Sequence, residues 1–241
     1  MTAVARLRRA RSRSGPARAL LALCAALSAS ALAAPDPGRP AAPKTDFVPT
    51  AAGTYTLQRI QASSDGVLLD ASARSRSLSA FTHGKITLLT FFYTYCTDPL
   101  GCPFAFELMT GLRGRMVADA ALRSNVRFVS ISFDPTHDSP AQLRSYAGSV
   151  LHDSQFEWEF LTAPSMAQLQ PVLDGFGQDV RVEVDREGRP VRAVNHMLKL
   201  FLIDESGVVR EIYSLDFLQP EVLLNDIRTL RLESQRRASS N

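Results

Sequence analysis

The sequence contains few of the residues on which most reactive sites depend, with three cysteines and four histidines among 241 residues. Acidic residues are absent before Asp36, whereas six arginines lie before residue 20. The net charge of +3 comes from this basic segment, since the other 21 basic and 24 acidic residues leave a net charge of −3. The positive total therefore does not indicate a nucleic-acid-binding protein.

The first 33 residues have the pattern of a secretory signal peptide. A basic region ends at Arg18, an apolar run follows from Ala19 to Leu32, and Ala31-Leu32-Ala33 supplies a small-x-small cleavage pattern. The run is shorter than the roughly 20 apolar residues that a membrane span needs. We therefore predict export, to the periplasm of a bacterium, with membrane anchoring as the alternative if the leader is not cleaved.

Composition divides the rest of the chain into three parts. Residues 34–50 are rich in proline and alanine, which is typical of a flexible tether. Residues 51–233 carry the alternating strand and helix patterns of one folded domain, and residues 234–241 are expected to be a disordered tail. Internal repeats are absent. The order of elements, with strands and helices alternating before a final hairpin and helix, predicts an α/β sandwich with a central mixed sheet flanked by helices.

The domain is organised around the stretch ITLLTFFYTYCTDPLGCPFA, residues 86–105. Its continuous apolar beginning, Ile86 to Tyr93, is typical of a strand covered on both faces. A helical pattern begins at Pro103, because proline is favoured in a first helical turn. Val126 to Phe133 predicts a second buried strand, and Ser139 with Pro140 predicts the N-cap and first residue of another helix.

Other segments carry weaker signals. Residues 54–60 look like a strand, residues 78–81 like a loop, and residues 192–195 like a polar linker. The last helix is expected to begin at Pro220 and to end near Leu232.

Export removes Cys24 with the leader and leaves Cys96 and Cys102 in an oxidising compartment. A structural disulfide is one interpretation, but closing so short a loop stabilises a fold little. A thiol pair between a strand and a helix favours reactive chemistry, because thiolates attack disulfides and bind soft metals. Cys102 is the better candidate for a lowered pKa, since a helix N-terminus stabilises negative charge.

His196 is the third candidate site residue, because it precedes the strand predicted at Leu198 to Ile203. In a thioredoxin-like arrangement that position lies beside the strand–helix junction that carries the cysteines. Two thiolates and one imidazole form a soft ligand set suited to Cu(I), whereas zinc usually takes a fourth ligand. The other histidines lie in predicted loops and are expected to be solvated (His83, His137 and His152).

Three motifs resemble the Sco/SenC family of copper-binding, thioredoxin-like proteins of cytochrome oxidase assembly. The segment TFFYTYCTDPLGCP resembles the family pattern F-x-Y-T-x-C-x-x-x-C-P. The segment SISFDPTHDSP resembles S-x-D-P-x-x-D-[ST]-P, and VNHMLKLFLIDESG resembles D-H-[ST]-x-x-x-[YF]-L-[IV]-D-x-x-G. Two departures stand out: the cysteine spacing is C-x5-C instead of C-x3-C, and Asn195 replaces the aspartate before the histidine.

The resemblance implies a thioredoxin-like fold, with Cys96, Cys102 and His196 as ligands of copper. Copper is expected as Cu(I), with Cu(II) left open. It further implies delivery to a respiratory oxidase subunit or another cuproprotein, with thioredoxin-like proteins as reductants.

Two enzymatic alternatives stay open. The Cys96–Cys102 pair could act as a thiol-disulfide oxidoreductase on partner cysteines, a role compatible with copper delivery because copper loading needs the reduced dithiol. A peroxiredoxin-like peroxidase is less favoured, because the proline of a P-x-x-x-T-x-x-C site is missing.

Overall fold

The structure, a computed structural model, describes residues 47–184, 186–187 and 190–240. The predicted signal peptide and residues 34–46 of the predicted tether lie outside this range. Within the range, no helix has both the length and the apolar character to cross a membrane.

Ten strands and six α-helices make up the described domain, together with 3-10 turns at Gly148–His152 and Leu215–Phe217. The strands are β1 (Gln61–Ala62), β2 (Val67–Asp70), β3 (Ser75–Ser77), β4 (Ile86–Phe92), β5 (Val126–Ser132), β6 (Trp158–Thr162), β7 (Val180–Val184), β8 (Pro190–His196), β9 (Lys199–Ile203) and β10 (Val208–Ser214). The helices are α1 (Ser79–Thr82), α2 (Cys102–Ala118), α3 (Ala120–Asn125), α4 (Pro140–Ala147), α5 (Met166–Gly175) and α6 (Pro220–Ser239).

Eight strands form one mixed sheet in the order β1-β10-β9-β4-β5-β6-β2-β3. Strands β4, β5 and β6 run parallel to one another, while β9 pairs with β4 in the antiparallel direction. Strands β7 and β8 form a separate antiparallel ribbon. The predicted α/β architecture with a central mixed sheet is confirmed.

Both faces of the central strands are covered, as the apolar runs predict. All seven residues of β4 and all seven of β5 are buried. Adjacent side chains on a strand point to opposite faces. Accordingly, the ring of Phe91 packs against Phe176 at the end of α5, while the ring of Phe92 packs against Tyr146 of α4.

Two helix starts follow the sequence rules closely. Ser139 caps α4 by accepting a hydrogen bond from the backbone N–H of Gln142, and Pro140 occupies the first turn. Ser165 caps α5 in the same way through the N–H of Gln168. Each hydroxyl satisfies a backbone donor that the helix itself leaves unpaired.

Four local expectations are wrong. Residues 54–60 form no strand, and β1 contains only the next two residues; residues 79–82 form the short helix α1 instead of a loop. The segment 192–195, expected to be a polar linker, lies within β8, where pairing with β7 satisfies its backbone. Residues 234–239 continue α6, where the sequence predicted a disordered tail.

Replacing Ser139 tests whether its side chain stabilises the N-terminus of α4. Ser139→Ala should lower the free energy of unfolding by about 1 kcal/mol, because the N–H of Gln142 loses its acceptor. Ser139→Asp, which keeps an acceptor, should stay close to the parent protein in urea unfolding. Equal stability of the alanine and aspartate variants would contradict the capping role.

Candidate metal and thiol site

The candidate site lies where the parallel strands β4 and β5 end side by side. Their register pairs Phe92 with Ser132, so the segments that follow them leave the same edge of the sheet. Residues 93–102 follow β4 and carry both cysteines, while residues 133–139 follow β5. The carboxyl ends of parallel strands are the usual location of sites in open α/β sheets.

The buried carboxylate of Asp138 joins these two segments. It accepts hydrogen bonds from the Thr94 backbone N–H at 3.0 Å, the Thr94 hydroxyl at 2.5 Å and the Ser132 hydroxyl at 2.6 Å. Asp138 is fully buried, so it has no hydrogen bonds to bulk water. These three protein donors replace them. The backbone two residues before Cys96 is thereby fixed to the end of β5.

A second carboxylate, that of Asp134, holds the next residue. Asp134 accepts a hydrogen bond from the Tyr95 hydroxyl and lies 2.7 Å from His137 Nδ1. Burial opposes ionisation, but the hydrogen bonds from Tyr95 and His137 keep the pKa of Asp134 below its usual value. Residues 94 and 95 are therefore both attached to the loop after β5, one through each aspartate.

The five residues between the cysteines fold into a compact turn. The Leu100 N–H donates to the Asp98 carboxylate at 3.0 Å, and the Gly101 N–H donates to the Asp98 carbonyl at 3.0 Å. A Cβ atom at Gly101 would lie 3.3 Å from the Cys96 sulfur, closer than most side chains tolerate. Glycine thus allows the chain to pass directly over this sulfur.

The turn brings the thiols together, and His196 completes the group. Both cysteines are free thiols, Cys96 partly exposed and Cys102 buried. The Cys102 Sγ atom lies 3.9 Å from His196 Nε2. The imidazole ring packs between the rings of Tyr93 and Phe133, with centroids 5.8 and 4.7 Å away.

The two thiols differ in acidity because they are hydrogen-bonded to each other. The bond that the Cys102 thiol donates to the Cys96 sulfur is the main cause that lowers the pKa of Cys96 to about 5, against the opposing effect of burial. Backbone N–H groups of Cys102 and Asp98 also favour this thiolate. The same thiol–thiol bond, together with burial, raises the pKa of Cys102.

The sequence-based choice of the more acidic thiol is therefore wrong. Cys102 does begin α2, as predicted, but its own sulfur is buried and serves as a donor. The free N–H at this first helical position stabilises the sulfur of Cys96 instead. The N-terminus of α2 does stabilise a thiolate, as expected, but the loop before the helix places Cys96 there and not Cys102.

The three candidate ligands meet in pairs. Cys96 contacts Cys102, and Cys102 contacts His196, but within residues 47–184, 186–187 and 190–240 no three His, Cys, Asp or Glu side chains already form a metal-binding arrangement. The donor types, two sulfurs and an imidazole nitrogen, fit a soft ion such as Cu(I).

Residues outside the predicted set also shape the site. Asp134 and Asp138 lie within one of the three sequence motifs, but the sequence alone assigned them no role. Their position after a parallel strand could have indicated that they belong to the site. His137, expected to be a solvated loop residue, is bonded to Asp134. The side chain of Asn195, the predicted departure beside His196, lies outside the described part of the structure.

Asp138→Asn tests the link between the two segments. An amide directs N–H groups at donors and removes the charge, so we expect the free energy of unfolding to fall by about 2–3 kcal/mol. Urea unfolding measures the change. The control Asp174→Asn, at an exposed position of α5, should cost less than about 0.5 kcal/mol; a similar small effect of Asp138→Asn would refute the role given to this carboxylate.

The acidity of the pair predicts how the reduced protein reacts with iodoacetamide. A thiolate is the nucleophile, so labelling of Cys96 should keep its rate above about pH 6 and slow as the pH falls through about 5. Cys102→Ala removes the donor and should move this midpoint upward. Mass spectrometry of labelled peptides gives both rates; faster labelling of Cys102 than of Cys96 would contradict the assignment.

Comparison with known proteins identifies the fold and the family. A curated protein described as a SCO1 protein homolog, from Bacillus subtilis (strain 168), is 29% identical over 133 residues. The match covers 54% of this chain and 63% of that protein, so it spans less than two thirds of the relative's length.

Two solved structures share the fold. Bradyrhizobium japonicum ScoI with copper bound has a TM-score of 0.54 and 22% identity, covering 68% of this chain and 97% of that one. BsSco, described as a Sco-family cytochrome c oxidase assembly protein with a disulfide switch, has a TM-score of 0.56 and 21% identity, covering 73% and 98%.

The family model described as SCO1/SenC matches residues 59–231. This range includes the whole of the site, from Tyr93 to His196, and most of the chain. The chain therefore belongs to the SCO1/SenC family.

Proposed function

We propose that this protein is an exported copper chaperone that binds Cu(I) through Cys96, Cys102 and His196. The observation that carries the proposal is the contact of the buried Cys102 thiol with both the Cys96 sulfur and the His196 imidazole. Copper bound to the similar Bradyrhizobium structure supports this choice of metal.

The surroundings of the three side chains suit a soft, low-coordinate ion. Cys96 is available as a thiolate because its pKa is lowered, and thiolates rather than thiols are metal ligands. The rings of Tyr93 and Phe133 hold the imidazole in place. Metal binding would require Cys102 to release the proton that it shares with Cys96.

The proposed recipient is a subunit of a respiratory oxidase or another exported cuproprotein. Its support is membership of the SCO1/SenC family and the description of BsSco as a cytochrome c oxidase assembly protein. Delivery in the periplasm follows from the predicted leader. Retention of that leader would leave the chaperone anchored to the membrane beside such a recipient.

A second function, thiol-disulfide exchange, is favoured by the unequal thiols. The partly exposed Cys96 thiolate would attack a partner disulfide and form a mixed disulfide, releasing one partner thiolate. Cys102 would then lose its proton and displace the second partner thiolate, leaving a Cys96–Cys102 disulfide and passing two electrons to the partner. Copper loading also needs the reduced pair, so both functions can use the same site.

Anaerobic titration with Cu(I) against a competing chelator tests the first function. We expect one equivalent to bind, and Cys96→Ala, Cys102→Ala and His196→Ala each to weaken binding by at least about 100-fold, beyond the usual effect of residues that only support a ligand. His152→Ala, at an exposed histidine in the 3-10 turn Gly148–His152, is the matched control and should bind as the parent does. Unchanged affinity in His196→Ala would remove that residue from the site.

A further inference from the structure

Gln178 is a buried polar residue whose presence packing does not explain. It lies three residues after the end of α5 and is only 3% exposed. Its side-chain oxygen, Oε1, is buried without a hydrogen-bond partner among the described residues. An unpaired buried carbonyl costs free energy that an apolar side chain of the same size would avoid. The reason for an amide at this position therefore lies with its nitrogen.

The amide nitrogen contacts the segment that carries His196. Gln178 Nε2 donates a hydrogen bond to the Met197 carbonyl at 3.1 Å and another to the Asp179 carbonyl at 3.4 Å. These two acceptors determine which way the amide faces, because turning it over would set an oxygen against both of them. Met197 directly follows the imidazole ligand, so the first bond fixes the backbone on one side of His196.

Two further contacts fix the same segment to the residues around Gln178. His196 pairs with Val180 across the ribbon of β7 and β8. The Lys199 Nζ atom donates a hydrogen bond to the Gly177 carbonyl at 2.7 Å. Residues 177–180 therefore hold residues 196–199 at three points, and the Gln178 contact is the one made by a buried side chain.

The end of α5 is itself fixed to the core of the sheet. The ring of Phe176 packs against Phe91 of β4 and Phe201 of β9, with centroids 5.6 and 5.0 Å away. The backbone N–H of Gln178 donates to the Leu173 carbonyl at 2.9 Å. Gln178 thus connects the segment that carries the imidazole to packed core elements and not to another loop.

We propose that Gln178 is a positioning residue for copper binding, which holds the His196 imidazole beside Cys102 through the Met197 carbonyl. This inference rests on the proposed copper chaperone function. His196 Nε2 already lies 3.9 Å from the Cys102 sulfur, and a ligand held near its bound position loses less conformational freedom when the ion binds. Gln178 acts on the placement of His196 and leaves the chemistry of the thiols unchanged.

Gln178→Met tests this role, because it keeps a side chain of similar length and removes both amide groups. Asp179 and Met197 are exposed, so water can replace the lost donor, and the urea midpoint should stay close to that of the parent. Cu(I) affinity, measured anaerobically against a chelator, should fall about tenfold, the lower end of the effects of groups that support a metal ligand. The control Gln170→Met, at an exposed position of α5, should keep the parent affinity.

A double-mutant cycle separates the placement of His196 from a general structural effect. In His196→Ala, adding Gln178→Met should leave Cu(I) affinity unchanged, because no imidazole remains to be placed. Iodoacetamide labelling of Cys96 in Gln178→Met should keep the parent rate and midpoint. A further tenfold loss of affinity in the double variant, or parent affinity in Gln178→Met, would overturn the inference.

The metal-free protein provides a readout that does not depend on copper. The rings of Tyr93 and Phe133 lie beside His196 and displace its ring-proton NMR resonances, which His196→Ala identifies. Gln178→Met should move these resonances toward their positions in unfolded protein, and unmoved resonances would overturn the placement of His196 by Gln178.

The outcomes distinguish this inference from the function on which it rests. If the parent binds no Cu(I) but the His196 resonances move in Gln178→Met, the chaperone function fails and the placement of His196 stands. If the parent binds Cu(I) and Gln178→Met binds it equally well, the chaperone function stands and the inference fails. If Gln178→Met and Gln178→Leu both fail to fold, Gln178 serves folding instead, and the inference is overturned.

Discussion

The parallel pairing of β4 with β5 is the constraint on which the site depends. The pairing runs in continuous register from Ile86 opposite Val126 to Phe92 opposite Ser132, so both chains leave the sheet at the same level. Asp138 then connects the two exits through the backbone and hydroxyl of Thr94 and the hydroxyl of Ser132. Without that common level, one buried carboxylate could not reach donors on both strands.

The acidity of the thiols follows from this geometry more than from either cysteine alone. A fixed loop places the Cys96 sulfur at the start of α2, where it accepts hydrogen bonds from the Cys102 thiol, the Cys102 backbone N–H and the Asp98 backbone N–H of the loop. The two sulfurs therefore behave as one unit with an easily lost first proton and a firmly held second one. A ready thiolate beside a protonated thiol suits both proposed functions, so the two proposals make the same demand on the site.

Much of the fold could be predicted because its signals are local. The buried runs of β4 and β5 and the serine caps of α4 and α5 follow from apolar patterns and side-chain hydrogen bonding. The strand β8 escaped prediction because its own sequence, PVRAVNH, lacks regular alternation, and its pairing with β7 is a contact between separate segments that local sequence does not contain. The acidity of the cysteines could not be predicted, since it depends on which sulfur a long loop brings to the helix, and local sequence does not contain that information.

The turn at Asp98 has a consequence for how this site is described. Asp98 closes the intervening residues into a turn and Gly101 crosses over the Cys96 sulfur, so the thiols remain neighbours although five residues separate the cysteines. The number of residues between two cysteines is then a poor measure of the distance between their sulfurs. The two aspartates after β5, which fix the segment that carries the cysteines, describe this site better than the cysteine interval does.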